Sequence, residues 1–282
     1  MKTAIVTDST AYLTKEEREK YSIHMVPLSV VIDQQSYEEE VSITTEEFYD
    51  KVRNEKQLPK TTQPAIGKFV AKYQELAEDY DEVITIHLSS GISGTYQGAL
   101  QAGDMVEQIE VFGFDSEIAC AVQGFYAIQA AKMAAEGKNA KEILPVLEEM
   151  RQIMEAYFIV NDLAHLQRGG RLSAGAALIG GLLQIKPILY FNEKVIEPFE
   201  KIRTRKKAMK RVEELLAEAV SRHNELDVTI IHANCPEEGQ QWMDELQSQY
   251  PQCSFKLSYF GPVIGTHLGE GSIGMGWFRK NA

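Results

Sequence analysis

Residues 82–95 read EVITIHLSSGISGT, and this stretch decides how the fold is interpreted. Residues 82–88 form an apolar run typical of a buried strand, and residues 89–95 bring serines, glycines and a threonine before a helix that begins near Gly94. The first N–H groups of such a helix have no helical partner, and the helix dipole gives them a partial positive charge. The pattern predicts either a seat for a phosphate or carboxylate group, or an ordinary strand-to-helix turn rich in capping residues.

The first half of the chain alternates strands with helices. Three apolar runs predict buried strands: 3–6, 82–88 and 109–114. Alternation of this kind is typical of a mainly parallel sheet, in which ligands bind at the carboxyl ends of the strands. Asp8-Ser9 and residues 89–95 both follow strands, and Thr61-Thr62 precede a helix. We therefore expect the three stretches to converge on one crevice.

The second half has a different rhythm. Residues 187–191 and 195–201 predict paired strands, and a basic helix begins near Thr204. A small-residue helix is predicted over 173–183, with further strands at 228–232 and 253–259. The predicted fold is α/β with two domains: a Rossmann-like parallel-sheet domain over 1–157, and an α/β domain with a mixed or antiparallel sheet over 158–282.

Composition excludes several classes of protein. The net charge of -12 disfavours binding to nucleic acid or anionic lipid, and no apolar run is long enough to span a bilayer. The N-terminus runs directly into a strand and does not resemble a signal peptide. Three cysteines without a CxxC pair fit a reducing cytoplasm, and six scattered histidines predict no metal. No cofactor motif is present either: residues 91–94 match neither a P-loop nor a dinucleotide fingerprint.

A hydrolase is the main catalytic alternative. Residues 261–271 contain four glycines, with His267 and Glu270 as their only strongly functional side chains. Ser93 could act as the nucleophile and His267 as the base, with Asp8 as the third group, on a small ester or phosphorylated substrate. The sequence around Ser93 nevertheless lacks the Gly-x-Ser-x-Gly register, because Gly94 follows the serine directly.

Two basic segments have competing interpretations. Residues 201–211 carry seven positive charges, which form either the solvated face of a helix or a patch for a phosphate group or an acidic partner. A chain that acts only as a basic adaptor with a vestigial pocket is a third alternative. Arg168 and Arg171 bracket two glycines and could clamp a loop or lie at the entrance of a site.

Six separated motifs resemble the DegV family, whose members include the fatty-acid-binding subunits of bacterial fatty acid kinase. They span the whole chain in order: 8–9 (DS), 61–64 (TTQP), 88–96 (LSSGISGTY), 166–173 (LQRGGRLS), 203–208 (RTRKKA) and 261–269 (GPVIGTHLG). The resemblance implies a long-chain fatty acid, such as palmitate or oleate, bound between two domains. Its acyl chain would lie in an apolar tunnel partly covered by the helix over 173–183 and completed by the second domain.

The resemblance also implies roles for particular residues. The carboxylate-binding residues would be Thr61, Thr62, Ser93 and Gly94. Contacts near the head group or with a partner are implied for His267, Arg171, Arg203 and Arg205. By similarity the protein is not itself an enzyme: a separate kinase would phosphorylate the bound carboxylate to an acyl-phosphate that feeds phospholipid synthesis. We expect a cytoplasmic monomer.

Overall fold

A computed structural model of the chain describes residues 1–53, 58–173 and 186–279. The chain divides into two compact units: unit 1 comprises Met1–Thr44 and Pro59–Gln152, and unit 2 comprises Thr45–Leu58 and Ile153–Ala282. The predicted class is confirmed, because unit 1 contains a parallel sheet and unit 2 a mixed one. The division differs from the predicted boundary at 157/158: the transition lies at 152/153, and Thr45–Leu58 joins the second unit.

Unit 1 is built on a four-stranded parallel sheet and a small antiparallel one. Its strands are β1 (Thr3–Asp8), β2 (Ile23–Val26), β3 (Ser29–Ile32), β4 (Gln35–Glu38), β5 (Lys60–Thr62), β6 (Glu82–His87) and β7 (Glu110–Asp115). The parallel sheet has the order β2-β1-β6-β7, and the small sheet has the order β4-β3-β5. Residues 23–32 contain two strands, β2 and β3, separated by Pro27, whose missing N–H cannot join a ladder.

Helices cover both faces of the parallel sheet. They are α1 (Lys15–Tyr21), α3 (Ile66–Leu76), α4 (Thr95–Gly103), α5 (Cys120–Ala135) and α6 (Ala140–Ile153), while α2 (Thr45–Val52) belongs to unit 2. Phe69 and Tyr73 of α3 pack with Ala99 and Ala102 of α4 over the strand residue Val83. The small residues of α4 let it lie close to the sheet, since a Cβ on Gly103 would approach the Val111 side chain to 2.8 Å.

The acidic segment at the end of the β3–β4 hairpin buries one of its carboxylates. A hairpin joins β3 to β4 through Asp33 and Gln34, whose φ angles are 48° and 67°. Glu39 follows β4 and is fully buried, because its carboxylate accepts hydrogen bonds from the Ser9 and Tyr12 hydroxyls. These donors compensate for the loss of solvent around the charge.

Unit 2 contains a six-stranded sheet of order β10-β9-β8-β13-β11-β12. Its strands are β8 (Glu155–Ile159), β9 (Ile188–Asn192), β10 (Val195–Glu200), β11 (Leu226–His232), β12 (Ser254–Tyr259) and β13 (Ile273–Arg279). Its helices, with α2, are α7 (Leu163–Arg168), α8 (Arg205–His223), α9 (Pro236–Gln249) and α10 (Pro262–Leu268). The strands β11 and β12 are parallel, and the other neighbours are antiparallel.

Side-chain contacts explain why α2 lies with unit 2. The Tyr49 hydroxyl donates to the Phe260 carbonyl at 2.8 Å, and the Arg53 guanidinium donates to both carboxylate oxygens of Glu270. A Cβ on Gly265 would lie 2.4 Å from the Tyr49 hydroxyl, so the glycine permits this close approach. These contacts join residues more than 200 positions apart, which sequence patterns do not reveal.

Two elements of unit 2 were missed from sequence. The four glycines of residues 261–271 favour turns, but Pro262–Leu268 form α10, with Pro262 in its first turn, and β13 follows. Gly269 and Gly271 do adopt turn conformations, with φ angles of 77° and 78°. The helix predicted over 173–183 lies outside the described residues apart from Ser173. No helix in the described part of the chain combines the length and apolar character needed to cross a bilayer.

Candidate functional site

Titratable side chains meet at the carboxyl ends of three adjacent strands in unit 1. In the β1–β6 ladder Thr7 pairs with Ile86, and in the β6–β7 ladder His87 pairs with Asp115. Asp8 and His87 therefore end neighbouring strands, and Asp8 Oδ2 lies 2.9 Å from His87 Nδ1. This arrangement places two carboxylates, those of Asp8 and Asp115, beside the loop over 89–95.

Asp8 is fully buried and both its oxygens are engaged. Oδ2 accepts from His87 Nδ1 and from the Leu88 N–H, at 2.9 and 3.0 Å. Oδ1 accepts from the Thr10 N–H and hydroxyl, at 3.0 and 2.5 Å. Burial raises the pKa of a carboxyl group, but the hydrogen bond and charge of His87, with the Thr10 and Leu88 donors, hold the pKa of Asp8 below its ordinary value. The charge therefore stays in the core, stabilised by local donors.

The network continues beyond His87 to α3. His87 Nε2 lies 2.6 Å from the Thr85 hydroxyl, which accepts from the Tyr73 hydroxyl at 3.1 Å. Tyr73, Thr85 and His87 are all fully buried. Burial raises the pKa of Tyr73 above its ordinary value, so its hydroxyl stays a donor. Both ring nitrogens of His87 therefore have a hydrogen-bond partner in this buried network.

Asp115 holds the other side of the loop. Its carboxylate accepts from the Ser90 N–H at 3.1 Å and from the Ser90 hydroxyl at 2.5 Å. The carboxylate also accepts from the Glu117 N–H at 3.2 Å, and Arg151 donates to the backbone carbonyl of Asp115 at 3.0 Å. Ser90 is thereby turned toward β7, so only part of the loop's hydroxyl content remains for a ligand.

Most backbone N–H groups of the loop donate to other groups of the protein, which corrects the expectation of a row of outward N–H groups. The N–H of Ser89 donates to the Ile118 carbonyl at 2.7 Å, and those of Ile92 and Ser93 donate to the Ser89 carbonyl. Within residues 1–53, 58–173 and 186–279, the N–H of Gly94 has no hydrogen-bond partner. Ser93 is half-buried, and its hydroxyl lies 2.9 Å from the Thr95 hydroxyl. The donors left at the start of α4 are thus few and uncharged.

The turn over 61–64 contacts this loop through Gln63. The Gln63 carboxamide lies over the first turn of α4, where a Cβ on Gly94 would come within 2.1 Å of Oε1. Thr61 pairs with Val30 in the β3–β5 ladder and is half-buried, whereas Thr62 is exposed. Successive strand residues point to opposite faces, so the side chains of the two threonines project from different sides of β5. The structure brings this turn to Gly94, the neighbour of Ser93.

Asp8 and Ser9 do not form an open part of the site. The Ser9 hydroxyl donates to Glu39 at 2.6 Å and accepts from the Leu28 N–H at 3.1 Å, and Ser9 is buried. The hydrolase alternative also loses its third residue. Asp8 pairs with His87, and its remaining acceptor positions hold Thr10 and Leu88, so it is not the orienting acid for His267.

A second cluster lies in unit 2, around His267 of α10. His267 is only 9% exposed, and a Cβ on Gly169 would lie 2.3 Å from its Nδ1. Burial, followed by the charges of Arg171 and His165, lowers the pKa of His267 to about 3, so the imidazole is neutral near pH 7. Arg171 is half-buried and donates to the Gly169 carbonyl at 2.6 Å, and burial lowers the pKa of its guanidinium. The motif over 168–171 therefore packs directly against His267.

The basic segment over 201–211 contains two kinds of cation. Arg205 donates to both oxygens of Glu238, at 2.8 and 2.7 Å, and Arg211 donates to Glu200 at 2.9 Å. These two arginines are committed to contacts within unit 2. Arg203 is exposed and makes no ion pair with any residue in the described ranges. The described residues also contain no cluster of three or more side chains suited to a metal ion.

Comparison with known proteins identifies the family. The family model described as "Uncharacterised protein, DegV family" matches residues 2–280. The chain is 54% identical over 281 residues to Protein DegV of Bacillus subtilis (strain 168), a match that covers 99% of this chain and 100% of that protein. The chain belongs to the DegV family.

Solved structures of the DegV family share this fold. The crystal structure of DegV from Bacillus subtilis, described as a fatty acid binding protein, matches with a TM-score of 0.96 and 53% identity, covering 99% of this chain and 100% of that one. A stearic-acid-binding protein from Eubacterium ventriosum matches with a TM-score of 0.90 and 26% identity, covering 99% and 98%. The family resemblance drawn from six motifs is confirmed.

Sequence reasoning missed several residues at this DegV-family site. His87 was counted as part of an apolar strand, although it pairs with a carboxylate 79 positions away. Asp115 was not singled out, although it directly follows the strand predicted over 109–114 and its carboxylate binds Ser90 of the loop. Gln63 stood inside a quoted motif, and its proximity to Gly94 follows from the packing of α3 on α4. The position of a polar residue at a strand's last residue was the available signal for Asp115.

Proposed function

We propose that this protein binds a long-chain fatty acid, such as palmitate or oleate, and holds its carboxylate at the start of α4. The carboxylate-binding groups are the Ser93 hydroxyl, the Gly94 N–H and one threonine hydroxyl, that of Thr61 or Thr62. Two relatives with the same fold are described as fatty-acid-binding or stearic-acid-binding proteins, which supports this ligand class. We further propose that the protein acts as a carrier in the cytoplasm, as a monomer, rather than as an enzyme.

The observation that carries the proposal is that the carboxylates at the strand ends are already hydrogen-bonded, whereas the donors at the start of α4 are neutral. Asp8 and Asp115 lie beside the loop, but their oxygens are engaged by His87, Leu88 and Ser90. The hydroxyl of Ser93 and the N–H of Gly94 are neutral donors, and the loop over 89–95 contains no lysine or arginine that could neutralise a bound carboxylate. Such donors can hold a carboxylate by hydrogen bonds while leaving its charge unneutralised.

A weak polar anchor is sufficient for a ligand with a long tail. About 15 methylene groups at ~0.8 kcal/mol each contribute roughly 12 kcal/mol before the costs of association. The head-group loop then determines orientation, and the hydrocarbon supplies the affinity.

An unneutralised carboxylate also suits phosphoryl transfer by a separate kinase, which we include in the proposal. A carboxylate oxygen would attack the terminal phosphorus of a phosphoryl donor held by that kinase, and the bond from phosphorus to the donor's bridging oxygen would break. An oxygen without a cation partner keeps more of its nucleophilicity. We assign partner or phosphate contact to Arg203, which is exposed, with His267 and Arg171 as further candidates. Arg205 is committed to Glu238.

Mass spectrometry of freshly purified protein tests the ligand class. Under native conditions we expect a mass increment of one fatty acid per chain, and denaturation should release that acid. The double variant Ser93→Ala, Thr61→Ala should carry much less of it. The matched control is Ser90→Ala, because Ser90 belongs to the same loop but its hydroxyl is bound to Asp115. Protein that carries no lipid, binds none when palmitate is added and hydrolyses p-nitrophenyl esters would contradict the proposal.

A further inference from the structure

We propose that Asp8 and His87 are positioning residues for the head-group loop, which makes fatty acid recognition depend on a pair that never touches the ligand. The inference rests on the proposed function. Asp8 Oδ2 holds His87, the last residue of β6, and the N–H of Leu88, the next residue along the chain. One carboxylate oxygen thereby fixes the direction in which the chain leaves the strand toward Ser93.

Hydrogen bonds within the loop link the position of Leu88 to that of Ser93. From Leu88 onward the loop is tied to fixed points: Ser89 to the Ile118 carbonyl, Ser90 to Asp115, and Ser93 to the Ser89 carbonyl. A shift of Leu88 would move the Ser89 carbonyl and, with it, the N–H and side chain of Ser93. Since a hydrogen bond weakens steeply with misalignment, a small displacement here would weaken the bond from Ser93 to a carboxylate.

Stability alone does not explain a buried carboxylate at this position, because the same two strands have a comparable clamp at their other ends. Glu82 is 2% exposed and accepts from the Thr3 hydroxyl and the Ala140 N–H, both at 2.6 Å. Thr3 and Glu82 are paired in the β1–β6 ladder, and Glu82 lies five residues before His87, roughly 16 Å along β6 at about 3.3 Å per residue. Glu82 fastens β1 to β6 but makes no contact with the loop, which makes it a matched control for Asp8.

The experiment compares a fatty acid with the corresponding fatty alcohol. For wild type, Asp8→Asn and Glu82→Gln, the dissociation constants of palmitate and of hexadecanol are measured by competition with a fluorescent fatty acid. Only the head group differs between the two ligands, so the ratio of the constants reports the head-group loop and cancels general loosening of the fold. We expect Asp8→Asn to reduce the preference for the acid about tenfold, the loss of roughly one hydrogen bond to a charged group. Glu82→Gln should leave the preference unchanged.

His87 provides a second test with a built-in rescue. His87→Asn keeps an N–H donor at the position of Nδ1, so it should retain most of the acid preference. His87→Leu removes that donor and should lower the preference as Asp8→Asn does. An unchanged preference in both Asp8→Asn and His87→Leu would overturn the proposal, as would an equal loss in Glu82→Gln.

A measurement on the wild-type protein remains decisive if the variants fail to fold. The Leu88 amide should already be strongly protected from hydrogen exchange without ligand, and rapid exchange there would contradict prior positioning by Asp8. Failure of the proposed function gives a separate result: the wild type would then bind neither ligand, or would bind acid and alcohol equally.

Discussion

Two strand ends of one sheet look alike in the sequence and differ completely in the structure. Residues 8–10 follow β1 and residues 89–95 follow β6, and both stretches are rich in oxygen-bearing side chains. Asp8, Ser9 and Thr10 are 0%, 2% and 0% exposed, and the structure gives every one of these side chains a partner. At the second end, Ser93 is half-buried and Gly94 is exposed.

The difference teaches that a hydroxyl-rich turn can serve as a binding site only where its hydroxyls are not buried against carboxylates. At the first end, buried carboxylates consume the hydroxyl groups and hold the neighbouring chain. At the second end, Asp115 accepts from the Ser90 hydroxyl, whereas the half-buried Ser93 hydroxyl contacts only the hydroxyl and N–H of Thr95 among the described residues. The first strand end is therefore a support and the second a site, and substitutions should separate the two roles.

Asp8→Ala should have the largest effect on stability. The change leaves His87, the Leu88 N–H and Thr10 without their acceptor in the core. Breaking such a buried arrangement costs about 3–5 kcal/mol of unfolding free energy. Urea denaturation followed by circular dichroism measures it, and a loss under about 1 kcal/mol would show that the first end is not a support.

Ser9→Ala should cost less, about 1–3 kcal/mol, by leaving the Leu28 N–H without a partner and Glu39 with one donor fewer. The same denaturation experiment measures it. Ser42→Ala is a suitable control, because the Ser42 hydroxyl is exposed and accepts from the Glu38 N–H at the surface. A loss for Ser42→Ala as large as that for Ser9→Ala would remove the contrast between buried and exposed hydroxyls.

Acid should weaken the support at the first end. The folded pKa of Asp8 lies below its unfolded value, so its stabilisation is complete above about pH 4 and is lost as pH falls through the folded pKa. Unfolding free energy should fall by at most about 1.4 kcal/mol per pH unit from this one group. In urea titrations below pH 4, the unfolding free energy of Asp8→Asn should fall less steeply with decreasing pH than that of wild type. An identical slope in both proteins would indicate that Asp8 does not change its pKa on folding.

Gly94→Ala should have the smallest effect on stability, below about 1 kcal/mol. The new Cβ would meet Oε1 of Gln63, the far end of a flexible side chain that can move away. Because the carboxamide would leave the start of α4, we expect palmitate binding to weaken more than stability does. Gly67→Ala is the control, since nothing lies within 4 Å of a Cβ there. Equal palmitate affinity in both variants would argue against a role for the turn over 61–64.

Much of the fold was readable from the sequence because local signals agreed with the tertiary structure. The expected start of the basic helix at Thr204 is confirmed: Thr204 caps α8 by accepting from the Lys207 N–H. α10 was missed because its glycines indicate turns, although Gly265 is there to admit Tyr49. Glycine chosen for close packing and glycine chosen for a turn have the same signature in sequence.

The site was only partly readable, for a different reason. The composition of residues 89–95 identified the loop. Which of its donors are engaged depends on Asp8 and Asp115, which are distant in sequence from their partners Leu88 and Ser90. Pairings across 25 to 80 positions leave no local pattern. Sequence identified the hydroxyl groups, and only coordinates separate those that are consumed from those that are available.

Palmitate affinity and unfolding free energy of Ser93→Ala and Ser9→Ala, measured side by side, test the central claim most directly. We expect Ser93→Ala to weaken palmitate binding about tenfold or more while its unfolding free energy stays within about 0.5 kcal/mol of wild type. Ser9→Ala should lose stability and, at temperatures where it remains folded, bind palmitate as wild type does. Unchanged affinity in Ser93→Ala, or an equal loss of affinity in both variants, would contradict the account.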